Sequence, residues 1–276
     1  NCYSCVYHSE RGYTVKENSV SQEIILKIKD KLAEIEQKEN VRIIHCVESG
    51  SRAWGFASPD SDYDVRFIYV RPVEHYLKLE KTRDVIEWEL DDVYDINGWD
   101  IKKALELLHK SNPTLFEWNS SPIVYKTTED WEKVREIIND CFQSKTGMYH
   151  YLSTAKRNYR EFLTGDEVKL KKYFYVLRPI LACRWIVDKR TPPPMLFSEL
   201  MEAELEENMK PYVDELLRQK MNTPEIGTGK RIDELNEFIL REMDELQKIS
   251  DDMAGEKPLH WDSLDRVFLD LLNMKG

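Results

Sequence analysis

The spacing of apolar residues changes once along this chain, near residue 126, and that change limits the fold more than any other feature. Before it, Val, Ile, Tyr and Phe gather in short runs at 41–48, 63–70, 85–90 and 93–96, with a last short one at 123–125. Runs of this length and composition, bounded by Gly, Pro, Asn and Asp, read as strands. After it, apolar residues recur every three or four positions, the period of a helix with one buried face. The pattern predicts helices over about 129–143, 147–163, 167–188, 197–207, 209–221, 231–250 and 262–273. Ahead of the strands, Ile24, Ile25, Ile28, Leu32 and Ile35 lie at helical spacing, with Ser21 placed as an N-cap. Two more helices are predicted over 100–110 and around 115–118, the second set off by Asn112-Pro113. Strands segregated from helices give an α+β fold. The expected division is a polar tail at 1–20, a mixed-sheet domain at 21–126 and a helical domain at 127–276.

Composition narrows the function. The chain has 276 residues and a formal net charge of −11, which counts against a simple duplex-DNA binder. There is no run of 18 apolar residues and no basic stretch followed by an apolar one, so neither a membrane span nor a signal peptide is expected. Five cysteines, an odd number with three in apolar segments, read as reduced thiols in the cytoplasm. Cys2-x-x-Cys5 with His8 lacks a second half for a zinc site and is read as part of the tail. His45, inside an apolar strand, is read as a core histidine.

The informative stretch runs from Val47 to Ile68. A strand ends at Glu48, and Gly50-Ser51 then opens a turn whose free backbone N–H groups and Ser51 hydroxyl suit a phosphate. Asp62 and Asp64 follow at the start of the next strand. Residues two apart share a strand face, so the two carboxylates repel unless a cation lies between them. Hard oxygen ligands beside substrate phosphates are the usual Mg²⁺ arrangement. Two such ions, about 3.5–4 Å apart, can clamp the attacking and leaving oxygens of an in-line displacement. A third carboxylate from a neighbouring strand completes this arrangement. Asp95 and Asp100 both qualify. Asp100 stands where a helix begins, which an N-cap role explains, whereas Asp95 lies inside an apolar strand and is favoured. Asp91 and Asp92 read as turn residues.

Gly50-Ser51, Asp62-x-Asp64 and Asp95 together resemble the signature of the DNA polymerase β-type nucleotidyltransferases. Gly50-Ser51-Arg52-Ala53-Trp54-Gly55, Ser61 to Arg66, Gly98-Trp99-Asp100, Ser111-Asn112-Pro113, Glu117-Trp118 and Lys172 to Pro179 resemble one family of that group, the RNA-repair-pathway polymerase β family, across about 41–200. The resemblance implies a polymerase β-like palm at 21–126 as the catalytic domain. It implies phosphate binding at Gly50 and Ser51, metal binding at Asp62 and Asp64, and Asp95 as third ligand or base. The expected cofactor is Mg²⁺ or Mn²⁺, as two ions, with a nucleoside triphosphate such as ATP as substrate. An RNA end ranks first as acceptor. A protein hydroxyl, as in toxin–antitoxin pairs, a small molecule, or a non-catalytic nucleotide sensor are the alternatives.

Other residues are candidates for holding the nucleotide. Arg52 is placed to reach a triphosphate, and Arg66 shares the face of Asp64. Trp54 has a packing and a base-stacking reading. Lys172 and Tyr175, with Lys171 and Arg178 on the same predicted helix, are placed to line the cleft opposite the metals. Lys156, Arg157 and Arg160 form a second basic group, readable as an RNA-facing or an ordinary solvated helix surface.

Overall fold

The computed structural model describes residues 20–91, 93–222 and 227–274. The expected tail, with Cys2, Cys5 and His8, lies outside these residues, as does Asp92. In chain order the elements are α1 (Gln22–Glu39), β1 (Arg42–Glu48), α2 (Gly50–Ala53), β2 (Tyr63–Val70), α3 (Val73–Tyr76), β3 (Val85–Leu90), β4 (Tyr94–Asp100), α4 (Ile101–His109), α5 (Pro113–Asn119) and β5 (Val124–Thr127). There follow α6 (Glu129–Ile138), a 3₁₀ turn, α7 (Ser144–Phe162), β6 (Glu167–Lys169), α8 (Lys172–Lys189), α9 (Phe197–Glu204), α10 (Lys210–Asn222), β7 (Thr228–Lys230), α11 (Asp233–Asp252) and α12 (Trp261–Leu271). The fold is α+β.

The large sheet has the order β3-β4-β2-β1-β5. β2 and β4 run parallel, while the other pairs are antiparallel. Residue alternation gives the sheet two apolar faces. Val65, Phe67 and Tyr69 of β2 join Ile28, Leu32 and Ile35 of α1 on one side. Ile68 and Val70 join Ile101, Leu105, Trp118, Trp131 and Leu264 on the other. Gly98 on β4 stands opposite Phe67, where a Cβ would come within 2.2 Å of the ring. Only a residue without a side chain lets these strands pair at that point.

A second core is built from α7, α8, α9, α10 and α11 around Tyr173, Phe174, Leu177, Ile180 and Leu181. Phe56, just past α2, is part of this helical core, so the chain around Gly50 spans both cores. The sequence predicts a division near residue 126. Apolar packing groups α6 and α12 with residues of the sheet, through Trp131, Val134, Ile138 and Leu271.

Several boundaries are corrected. The helix expected over 167–188 begins at Lys172, because Glu167–Lys169 pairs with Thr228–Lys230 as a small hairpin-like ladder. A three-residue strand is too short for a period of two to stand out. The 93–96 run extends to Asp100, and 129–143 stops at Ile138. Ser21 caps α1 by accepting from the Ile24 N–H, and Asn112 caps α5 by accepting from Thr114. Cys46, Cys141 and Cys183 are buried free thiols. Among the described residues no helix is long and apolar enough to cross a membrane.

His45 is a buried ring stacked on Trp131 at 4.3 Å and 3°. Burial pushes its pKa down from 6.5 to about 4. Above pH 6.5 the ring is neutral in both states, so no cost arises. As pH falls below 6.5 the unfolded chain binds the proton first, and stability is lost until about pH 4. His45→Phe keeps the stack and removes the proton. In urea titrations, wild type should lose about 2 kcal/mol more than His45→Phe between roughly pH 7.5 and pH 5. Parallel losses in the two proteins would refute this account.

Candidate functional site

The site sits at the end of the sheet where β1 finishes and β2 and β4 begin. Parallel pairing sets Asp64 directly beside Asp95. The two carboxylates would repel each other there, and Arg66 lies between them. Its Nη2 donates to Asp64 Oδ1 at 3.1 Å and to Asp95 Oδ2 at 2.5 Å, while Nη1 donates to the Asp95 carbonyl at 2.6 Å. Asn97 holds the other Asp95 oxygen at 3.2 Å. Asp62 immediately precedes β2, is exposed, and adds a further negative charge near Asp64. Burial raises the Asp64 carboxyl to about 6, against the downward pull of Arg66.

The turn after β1 is fastened to these carboxylates. Ser49 N–H donates to the Asp64 carbonyl at 2.8 Å, and the Glu48 carboxylate accepts from the Asp64 N–H at 2.8 Å. Glu48 is fully buried and also accepts from the Tyr125 hydroxyl. Burial lifts its pKa to about 7, with those two hydrogen bonds opposing. Gly50 has φ +60°, and a Cβ there would fall 2.0 Å from Asp64 Oδ2. The turn therefore approaches the carboxylate more closely than any side-chain-bearing residue permits. Ser51 Oγ donates to Ser61 Oγ at 3.2 Å, which ties the turn to the loop before Asp62.

The remaining candidates divide. Arg52 turns inward: its Nε donates to the Asp62 carbonyl at 2.9 Å, Nη2 donates to the Ser61 carbonyl, and the guanidinium lies 4.0 Å from the Tyr63 ring centre. It shapes the 58–62 loop. Tyr175 comes across from α8 to Trp54, with ring centres 5.7 Å apart and edge to face. Its hydroxyl is pushed up in pKa by burial and then by the charge of Asp64. Lys172 lies 3.9 Å from the Phe162 ring centre and 4.8 Å from that of Tyr175, and burial lowers its pKa. Asp100 is the N-cap of α4, accepting from Lys102 N–H and from the Tyr76 hydroxyl, beside Tyr69 at the far end of the paired strands. Asp91 accepts from the Val93 and Tyr94 N–H groups in its turn.

Sequence reasoning passes over two acids. Glu48 closes an otherwise apolar strand, and an acid in that position is the signal that marks it. Glu117 pairs with Arg178 at 2.8 Å, and the two are 61 residues apart, so no local pattern reveals the pair.

Among the described residues no three acids, histidines or cysteines converge into a ready-made metal cage. The donor set nonetheless fits a hard divalent cation. Asp62, Asp64 and Asp95 offer only carboxylate oxygens, and Arg66 already places positive charge between two of them. Gly50→Ala should displace the Asp64 carboxylate and strain the left-handed backbone. A loss of at least about 1–2 kcal/mol is expected in urea denaturation. A melting curve identical to wild type would overturn this reading of the turn.

Comparisons with known proteins identify the family. Residues 24–270 match the family described as the RNA repair pathway DNA polymerase beta family. The chain is 46% identical over 245 residues to the uncharacterized protein YcgL of Bacillus subtilis (strain 168), covering 88% of this chain and 94% of that protein. A crystal structure of a nucleotidyltransferase-like protein from Exiguobacterium sibiricum 255-15 aligns over 91% of this chain and 80% of that one. Its identity is 13% and its TM-score 0.30, too loose a superposition to bear on function. This chain belongs to the RNA repair pathway DNA polymerase beta family and is a nucleotidyltransferase of the polymerase β type.

Proposed function

We propose that the chain transfers a nucleoside monophosphate from a nucleoside triphosphate to an acceptor hydroxyl, with an RNA end as acceptor. One observation carries this reading: β2 and β4 pair so that Asp64 stands beside Asp95, against a glycine turn that admits no side chain. The family description favours RNA over the other acceptors.

Asp62, Asp64 and Asp95 would hold Mg²⁺ or Mn²⁺, which when bound supply charge neutralisation for the phosphates and acidify the acceptor hydroxyl. The Gly50-Ser51 turn contributes backbone N–H groups and the Ser51 hydroxyl toward the phosphates. Glu48 and Ser49 keep the main chain at Asp64 fixed to that turn, so carboxylate and phosphate contacts stay in one geometry. Arg66 balances Asp64 and Asp95 and remains close enough to meet charge developing on the transferred group. The acceptor oxygen forms a bond to the α-phosphorus as the bond to the pyrophosphate oxygen breaks. The proton leaves toward Asp95 or solvent. Arg157 and Arg160 on α7 are exposed cations for RNA phosphates beyond the reacting end.

Asp62→Ala and Asp64→Ala should each lower transfer of α-labelled nucleotide to RNA with defined ends at least about a hundredfold. Both should keep the wild-type circular dichroism spectrum. Undiminished transfer by folded variants would remove the carboxylates from the mechanism. Label appearing on protein and not on RNA would replace the acceptor.

A further inference from the structure

A cavity of about 240 Å³ opens where the two cores meet. Its walls are aromatic, with Trp54 from the turn that follows Gly50-Ser51 and Phe174 and Tyr175 from α8. Its polar end is Glu117 of α5, with Tyr151 and Arg178 behind it. The cavity borders the glycine turn, because Trp54 closes that turn with its N–H donating to the Gly50 carbonyl at 2.9 Å.

The polar end is built. Glu117 Oε1 accepts from Arg178 Nη1 at 2.8 Å and from the Tyr151 hydroxyl at 2.9 Å. The Arg178 side chain is 4% exposed and Glu117 16%. Arg178 also lies 4.8 Å over the Trp54 ring and donates to the Met195 carbonyl, while its buried Nε has no partner. A carboxylate oxygen offers about two acceptor directions. Those of Oε1 are taken, and no described residue donates to Oε2. The aromatic wall is held as well. Pro179 cannot donate to the carbonyl four residues back, that of Tyr175, and Asn158 Nδ2 donates to it at 2.9 Å instead.

Aromatic walls, an unclaimed carboxylate oxygen and a place beside the Gly50-Ser51 turn match a flat heterocycle with an N–H₂ group on its edge. We infer that this cavity takes the base of the nucleotide, and that Glu117 Oε2 selects a base with an exocyclic amino group over uracil; this rests on the nucleotidyltransferase reading of the carboxylates. Adenine, cytosine and guanine can each donate an amino N–H to Oε2. The ring N–H that uracil would present lies between two carbonyl oxygens, which would face the carboxylate. Arg178 and Tyr151 act as positioning residues, since they touch Glu117 and fix which of its oxygens is free.

Calorimetric titration of the full chain with ATP, UTP and inorganic tripolyphosphate, all with Mg²⁺, tests this. ATP should bind about tenfold or more tighter than UTP, and tighter than tripolyphosphate. Tyr175→Ala, at a ring already 37% exposed, should weaken both nucleotides about tenfold and leave tripolyphosphate unchanged. Glu117→Gln should bring UTP level with ATP. If loss of the Arg178 pair unfolds that variant, Tyr175→Ala still decides the matter. Equal binding of ATP and tripolyphosphate, or of ATP and UTP, by the wild-type chain overturns the inference. The two readings separate cleanly. A preference for ATP without label transfer overturns the transferase and leaves the base pocket standing. Label transfer without base preference does the reverse.

Discussion

The parallel pairing of β2 with β4 is the constraint on which the rest depends. It brings Asp64 and Asp95 side by side, and two adjacent acids half-removed from water need a positive partner. Arg66 supplies it from the same strand, two residues on, because alternation returns its side chain to the face of Asp64. A register slip of one residue would turn Asp95 to the opposite face and leave Arg66 with one acid. Gly98 guards that register, since its place opposite Phe67 admits no side chain. The acids are thus held by backbone hydrogen bonds along whole strands, and their spacing does not rely on their own contacts.

The turn after β1 links this arrangement to the helical core. On one side Gly50 touches Asp64, and Ser49 bonds to its carbonyl. On the other, Phe56 is buried against Phe174 and Phe197, and the Trp54 carbonyl accepts from Phe197 N–H at 3.0 Å. The Glu117–Arg178 pair forms a second tie between the cores, from α5 to α8. A buried ion pair of this kind is weak evidence for added stability, but breaking it leaves an uncompensated charge. Together these ties restrict how the helical core is oriented over the carboxylates, and they define the cavity between the two.

The short motifs sort by what they hold. Asn112 caps α5 and so sets the direction of Glu117 and Trp118. Trp118 packs on Trp99 at 4.4 Å, beneath the sheet, which leaves Glu117 to face the helical core. Pro179 removes one helical hydrogen bond in α8, and Asn158 of α7 claims the freed carbonyl. Residues that look like functional signatures in sequence therefore include several whose work is to fix the angle of a neighbour.

The sequence alone determined much of the fold. Period-two and period-3.6 spacing located the sheet strands and most helices, and Ser21 and Asp100 announced their caps, because these signals depend on near neighbours. It also singled out Gly50, Ser51, Asp62 and Asp64, since a glycine turn and paired acids on one strand are local patterns. It could not fix strand order, and hence could not choose between Asp95 and Asp100 by geometry. Only the sheet sets Asp95 beside Asp64 and leaves Asp100 capping α4. It could not show that Lys172 lies over Phe162 and Tyr175, or that Arg52 braces the loop before Asp62. Glu48, Glu117 and Arg178 acquire their partners across long stretches of chain, and the 167–169 strand exists because it meets 228–230. Such pairings belong to the tertiary structure: the energy that decides them comes from burial against residues that the local sequence does not contain.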